Sequence, residues 1–292
     1  MKKKYKIFIL GAGGQIGKDL VEYFSANYSV YAFLKKNNKK FVKKKNVKYI
    51  YHNFINPLNI KIKPDLILNC IVTHEFSRNN SLNNFIKNNL STIKNIINFV
   101  KETNANLINF SSVSVYGKSD QSTLYENSSS SNLDLLGVCK LFVEKAIERE
   151  NINFINLRLP GVLCVNKEQN RPWLKNIIFN LYNNKNVKIY NYSNKFNNLI
   201  TSKEIFEFIN YLIIKKIFIS GNYNFSANQP VKLISLINII KIFFKSESKI
   251  YNIINKDKSF IINTNKFEKT FKFKISKTEY LLKNYLKAIK NI

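Results

Sequence analysis

With 292 residues, 45% of them hydrophobic, the chain can bury a sizeable core, and its apolar runs are too short and too soon interrupted to cross a membrane. A formal net charge of +29 points to an anionic partner. The Lys excess is spread along the whole length, with no paired zinc ligands, aromatic RNA-binding signature or basic heptads, so an anionic small ligand is expected and a nucleic acid is not.

Met1–Lys4 is basic, but a strand-like run and a glycine turn follow with no small-residue cleavage site, which predicts a protein of the cytoplasm. Tyr5–Leu10 reads as a short strand. The turn GAGGQIG, Gly11–Gly17, leads into Ile16, Leu20, Val21 and Phe24 at helical spacing. A strand, a glycine turn and a helix in succession suit a pyrophosphate. One glycine permits the turn, another the close approach of backbone, and a third the packing of helix on strand. The helix N-terminus then aims its N–H groups at the phosphates. Gly11, Gly14, Gln15, Ile16 and Gly17 are therefore the expected dinucleotide contacts.

Tyr28–Leu34 is a second strand. It ends in Lys35-Lys36, where a carboxylate would serve the ribose 2′-hydroxyl and a cation suits a 2′-phosphate, so Lys35 favours NADP over NAD. Val47–Tyr51 is a third strand and Asp65–Val72, almost wholly apolar, a fourth that is covered on both faces. Leu82–Glu102 is a long amphipathic helix, Ala105–Phe110 a strand, Leu135–Arg149 a helix, and Phe154–Leu159 a strand that stops at Pro160-Gly161. This alternation predicts a doubly wound, parallel α/β sheet of the Rossmann-like kind. Beyond it the pattern loosens. Trp173–Tyr182, Lys203–Ile214, Lys232–Phe244 and Thr278–Ile289 read as helices and Val187–Tyr190 as a strand. We assign 1–163 to dinucleotide binding, with 197–226 returning to it, and 164–292 mainly to substrate binding. Cys70, Cys139 and Cys164 are odd in number and far apart, so no disulfide framework and no metal site is expected.

The order of these segments resembles the extended short-chain dehydrogenase/reductase family, the NAD-dependent epimerases, dehydratases and keto-sugar reductases of nucleotide sugars. The resemblance rests on Gly11, Gly14 and Gly17, on KNNLSTIKN with Asn89, on FSSVSVYG (Phe110–Gly117) with Ser112, on LRLPGVL with Arg158, and on FNNLITSKEI (Phe196–Ile205). It implies that Asn53 lies where the family contacts adenine, that Asn89 belongs to a proton relay, and that Ser112 hydrogen-bonds the reacting oxygen. Lys140 would hold the nicotinamide ribose, and Arg158 would lie near the substrate. Arg171 and Lys175 are further candidates for meeting a diphosphate. The implied partner is a nucleotide-diphosphate sugar, the setting surface-polysaccharide biosynthesis, and the assembly a homodimer through the helices Leu82–Glu102 and Leu135–Arg149.

The family pairs a Tyr with a Lys four positions on, the ammonium easing loss of the phenolic proton. Here LLGVCKLFVE supplies Leu136 and Lys140, with Glu144 in frame. Leucine has no proton to give. Either another group acts, with His74 and Glu75 as candidates, Cys139 reading rather as a stand-in for a small Ser or Thr and Tyr116 as a packing residue, or the fold survives as an inactive cofactor-binding module for regulation or assembly.

Overall fold

The computed structural model describes residues 4–35, 44–71, 82–166, 173–255 and 259–290. Its longer strands are β1 (Lys6–Leu10), β2 (Ser29–Leu34), β3 (Val47–Tyr51), β4 (Leu66–Asn69), β5 (Asn106–Ser112), β6 (Phe154–Leu159), β7 (Gly161–Leu163), β8 (Val187–Tyr190), β9 (Leu199–Thr201), β10 (Gly221–Asn224) and β11 (Ile250–Ile253). The helices are α1 (Gln15–Ser25), α2 (Leu82–Thr103), α3 (Leu135–Glu148), α4 (Trp173–Tyr182), α5 (Ser202–Lys215), α6 (Leu233–Phe244), α7 (Asn265–Phe271) and α8 (Thr278–Lys290).

Seven strands form one parallel sheet in the order β10-β6-β5-β4-β1-β2-β3. The chain leaves β1 in one direction through β2 and β3, and in the other through β4, β5, β6 and β10. The carboxyl ends of β1 and β4 therefore flank the point where the order reverses, the place such sheets bind ligands. The apolar run that reads as β4 is buried at every residue, Leu66 to Asn69. In β3, at the sheet edge, no residue is fully buried.

Alternate side chains of each strand enter two cores. Phe8, Leu10, Ile67 and Leu107 meet Ile93, Ile96 and Val100 of α2 and Val143 and Ile147 of α3. Ile7, Ile9, Leu68, Ile108 and Ile155 face the other way, onto Leu20 and Phe24 of α1 and Ile205 and Phe208 of α5. That second core continues without a break into Leu174 and Ile178 of α4, Leu236 of α6 and Leu282 and Leu286 of α8. The two parts of the chain thus share one apolar interior. Asp19 of α1 reinforces the join: buried, it accepts hydrogen bonds from Val165 N (2.8 Å), Asn166 Nδ2 (2.9 Å) and the Ser202 hydroxyl (2.5 Å) at the start of α5.

Five of these elements are not legible in the sequence: β7, β9, β10, β11 and α7. The strand β10 carries a single apolar residue, Tyr223, and α7 lies in a stretch where buried Phe267 and Phe271 alternate with lysines. Among the described residues no helix is long and apolar enough to cross a membrane.

Candidate active site

The glycine turn sits at the carboxyl end of β1. Gly11 has φ +81°, and a Cβ there would lie 3.1 Å from the backbone of Cys70 at the end of β4. At Gly17 a Cβ would come within 2.4 Å of Gly11 O and 2.7 Å of Ala12 Cα, so α1 can pack this closely only on a glycine. Gly14 is the N-cap of α1, in extended conformation, and no side chain caps the helix. Gly13 and Gly14 are exposed, whereas Ala12 and Gly17 are buried. The result is a helix N-terminus with its partial positive charge and a bare backbone approach beside the reversal point. These residues fit a dinucleotide pyrophosphate, which needs backbone donors and no Cβ in its path.

Around this turn lie two of the residues expected to read the adenosine half. Lys35 is exposed immediately after β2, and Asn53 is exposed just past β3, its Oδ1 accepting from Ile55 N at 3.5 Å. Gln15 and Ile16 are half-buried in the first turn of α1, where Asn166 Nδ2 donates to Gln15 O at 2.8 Å.

The opposite half of the site belongs to β5 and α3. Ser112 ends β5 and is half-buried. Its hydroxyl accepts from Ser114 N (3.1 Å) and lies 2.5 Å from the Ser114 hydroxyl. The N-terminus of α3 is fixed by Asp134, whose carboxylate accepts from Gly137 N at 2.6 Å. At Gly137 a Cβ would be 2.3 Å from Ser114 O, so the glycine lets α3 press against the Ser112 turn.

Leu136 and Lys140 stand one helical turn apart and line the same cavity, together with Asn89 of α2 and Asn69, Asn109 and Cys139. Lys140 Nζ donates to Phe110 O at 2.7 Å. Burial pulls its pKa down to about 8, against the opposing pull of Cys70, Glu144 and Cys139. The Cys70 thiol is pushed up by burial, only partly offset by the Lys140 charge. A lysine in this range exchanges its proton near neutral pH, as acid/base groups do.

Three of the residues named from the sequence spend their polar groups inside the protein. Arg158, expected near the substrate, is the first. Its side chain is buried against Glu144, with Nε 3.1 and 3.2 Å and Nη2 2.7 Å from the carboxylate, and its Nη1 donates to the Tyr116 hydroxyl (3.0 Å) and Glu126 O (2.8 Å). Burial works against its charge, but Glu144 and Tyr116 more than compensate and raise its pKa. Ser111 donates to the same carboxylate and Tyr116 to Asn224 Oδ1, so Arg158 anchors the strand ends behind Ser112. Tyr116, read from the sequence as a packing residue, is 1% exposed. Lys175, half-buried, donates to backbone at Asn166 O (2.8 Å) and Cys164 O (3.4 Å). His74, Glu75, Lys36 and Arg171 lie outside the described residues.

A larger hollow, about 200 Å³, opens in the C-terminal part and is lined by Tyr190, Phe196, Asn198, Asn255 and Phe260 among others. Among the described residues the buried Asn198 Oδ1 has no hydrogen-bond partner. The segment Phe196–Ile205 is a landmark in the sequence, but this aromatic, amide-rich lining does not stand out there, because Asn and Tyr are abundant throughout. Among the described residues no group of His, Cys, Asp and Glu could hold a metal.

The model of the NAD dependent epimerase/dehydratase family matches residues 7–218. No curated protein matches the chain by sequence. Among solved structures it is similar to ADP-L-glycero-D-manno-heptose-6-epimerase of Helicobacter pylori (TM-score 0.82, 18% identity, 100% of this chain and 99% of that one). It is similar also to UDP-N-acetylglucosamine 4-epimerase of Methanobrevibacter ruminantium in complex with UDP-N-acetylmuramic acid (TM-score 0.80, 17% identity, 100% and 99%). A third is the Bordetella bronchiseptica enzyme WbmG in complex with NAD (TM-score 0.81, 12% identity, 99% and 95%). Such identities speak for the fold alone.

Proposed function

The chain belongs to the NAD dependent epimerase/dehydratase family, and on that premise we propose that it is a nicotinamide-dependent oxidoreductase of nucleotide-diphosphate sugars, acting in the cytoplasm in surface-polysaccharide biosynthesis. The observation that carries this reading is the glycine turn, where Gly11, Gly14 and Gly17 present the N-terminus of α1 at the β1/β4 reversal point. The exposed Lys35 after β2 favours NADP over NAD, and with it a reductase over an epimerase. The hollow around Tyr190, Phe196 and Phe260 offers aromatic faces and amides to a nucleotide base. The assembly in this reading is a homodimer through α2 and α3.

When bound, the nicotinamide supplies or takes up hydride. In this reading the Ser112 hydroxyl donates a hydrogen bond to the reacting sugar oxygen. Lys140 supplies positive charge beside it and, with no phenol at position 136, holds the exchangeable proton.

Titrating the protein with NADPH and NADH while following nicotinamide fluorescence tests the reading. NADPH is expected to bind more tightly, Lys35→Asp to reverse the preference, and Gly17→Val to abolish binding of both, because its side chain would collide with Gly11 O. Absence of binding to either cofactor in the natural protein would sink the reading.

Leu136 favours a second reading, a cofactor-binding module without turnover. A screen of nucleotide sugars for cofactor oxidation, run on the natural protein and on Leu136→Tyr, separates the two. Turnover that appears only in the variant supports the module; turnover by the natural protein ends it.

A further inference from the structure

Four asparagines occupy one level of the central sheet. Asn69 of β4, Asn109 of β5, Asn156 of β6 and Asn222 of β10 are partners in register across neighbouring strands. Their side chains form a continuous ladder on the face that α3 covers. Asn69 Nδ2 donates to Asn109 Oδ1 (2.8 Å), Asn109 Nδ2 to Asn156 Oδ1 (2.9 Å), Asn156 Nδ2 to Asn222 Oδ1 (2.8 Å), and Asn222 Nδ2 to the Glu148 carboxylate (2.5 Å). Asn109 and Asn156 are wholly buried and Asn69 nearly so.

An amide can usually be turned over at little cost, but here the direction is set twice. At one end Glu148 is a carboxylate and can only accept, so Asn222 must present its NH₂ group. At the other end Ile71 N–H can only donate, at 3.2 Å to Asn69 Oδ1. Both ends demand the same sense, with every NH₂ group toward Glu148 and every carbonyl toward β4. Aligned amide dipoles in a low-dielectric interior polarise one another and reinforce that sense.

The carbonyl end of the ladder reaches the cavity beneath the candidate active site. Asn69 and Asn109 line it with Asn89, Thr92, Leu136, Cys139 and Lys140, and its volume of about 20 Å³ has room for a single water. Lys140 has three N–H bonds, and one is accounted for by Phe110 O. We propose that Asn69 and Asn109 are positioning residues for Lys140, held by the ladder with their carbonyl oxygens as acceptors, so that one cavity water links them to the Lys140 ammonium. The consequence is a lysine that keeps its charge despite burial. This rests on the reading of Lys140 as the charged group of the site.

The titratable groups acting on Lys140 among the described residues are Cys70 beyond β4 and Cys139 and Glu144 on α3. The cavity residues from α2 and β5 are the neutral Asn89, Thr92, Ile93 and Asn109. Removing an acceptor should therefore show directly in the ionisation of Lys140.

Competitive acetylation of the whole protein across a pH series, read by mass spectrometry of the peptide containing Lys140, gives its titration midpoint without cofactor or substrate. Asn109→Leu is expected to lower that midpoint by about one pH unit, the scale of one hydrogen bond to a charged group. Asn156→Leu, which leaves the cavity lining intact, should lower it by a smaller step, and Glu148→Gln, whose amide oxygen still accepts, should leave it in place. A natively folded Asn109→Leu with an unmoved midpoint overturns the proposal. If that variant does not fold, Asn109→Asp keeps the size and shape and must raise the midpoint; no change there overturns it equally. Cofactor titration separates the two inferences. Shifted midpoints without cofactor binding remove the oxidoreductase reading and leave the ladder standing, whereas cofactor binding with unmoved midpoints does the reverse.

Discussion

Arg158 and Glu144 are the clearest case of residues whose work differs from their address. The Arg158 side chain is 6% exposed and that of Glu144 is fully buried, and the pair closes a network with Ser111, Tyr116 and Asn224. Breaking one partner of such a pair leaves a buried charge uncompensated, so Arg158→Ala should lower stability by roughly 3–5 kcal/mol in urea unfolding. A loss below about 1 kcal/mol would return Arg158 to the substrate-facing role its motif suggests. The motif LRLPGVL made the position legible, but not the role. That role comes from Glu144, a turn beyond Lys140 on α3, which sequence reading used only to check the frame. The asparagines of the ladder were harder still to see, because Asn is common along the whole chain and only strand register brings 69, 109, 156 and 222 to one level.

Among the elements, α3 carries a polar stripe toward the sheet beside the Val143 and Ile147 that it packs into the core. Below Leu136, Lys140, Glu144 and Glu148 follow at four-residue spacing, and each bonds to the sheet side: Phe110 O, Ser111 with Arg158, and Asn222. These directional contacts fix the register of α3 more sharply than leucines would. A different economy marks the helix ends. Lys216 after α5, Lys245 after α6 and Lys272 after α7 take left-handed conformations, with φ of 56°, 54° and 54°, where glycine is the usual occupant. A side chain with a Cβ is strained there by roughly 1–2 kcal/mol, part of which glycine returns in chain entropy. Each Lys→Gly exchange should therefore raise stability by up to about 1 kcal/mol, additively, since the ends are separate. A lower urea midpoint in the triple variant would contradict this. Apolar runs made β1, β2, β4, β5 and β6 readable. Neither β10, GNYN, nor the seven-residue α7 has a periodic pattern long enough to stand out, and both are held by tertiary partners.

At the scale of the molecule, the unbroken core joins what composition and chain order divide. The residues after Cys164 pack on the same interior as β1 and α1, and Asp19 ties α1 to α5. Outside that interior, Val138 and Phe142 stand on one face of α3 at 48% and 47% exposure, and Ile86 of α2 at 40%. Two apolar groups exposed one turn apart on α3 are what the proposed homodimer would cover. Sedimentation should find twice the chain mass of 34.2 kDa for the natural protein and a monomer for Phe142→Glu. A natural monomer at micromolar concentration would exclude the dimer. Their exposure could not be read from the sequence, where Val138 and Phe142 pass for ordinary members of an amphipathic helix.

The outermost strand also carries a consequence for how the chain is made. β10 is the last of the seven sheet strands in chain order and, among the described residues, pairs with β6 alone. During synthesis from the N-terminus, β6 is therefore a bare edge while the ribosome adds more than sixty residues, from Gly161 to Asn224. Over that interval Asn156 has no acceptor on its outer side and Tyr116 no Asn224 to donate to. The arrival of a single short segment pairs the edge, completes the amide row and closes the network behind Ser112. A nascent chain halted before residue 221 would carry an exposed strand and unmet buried amides, the condition that calls for a chaperone.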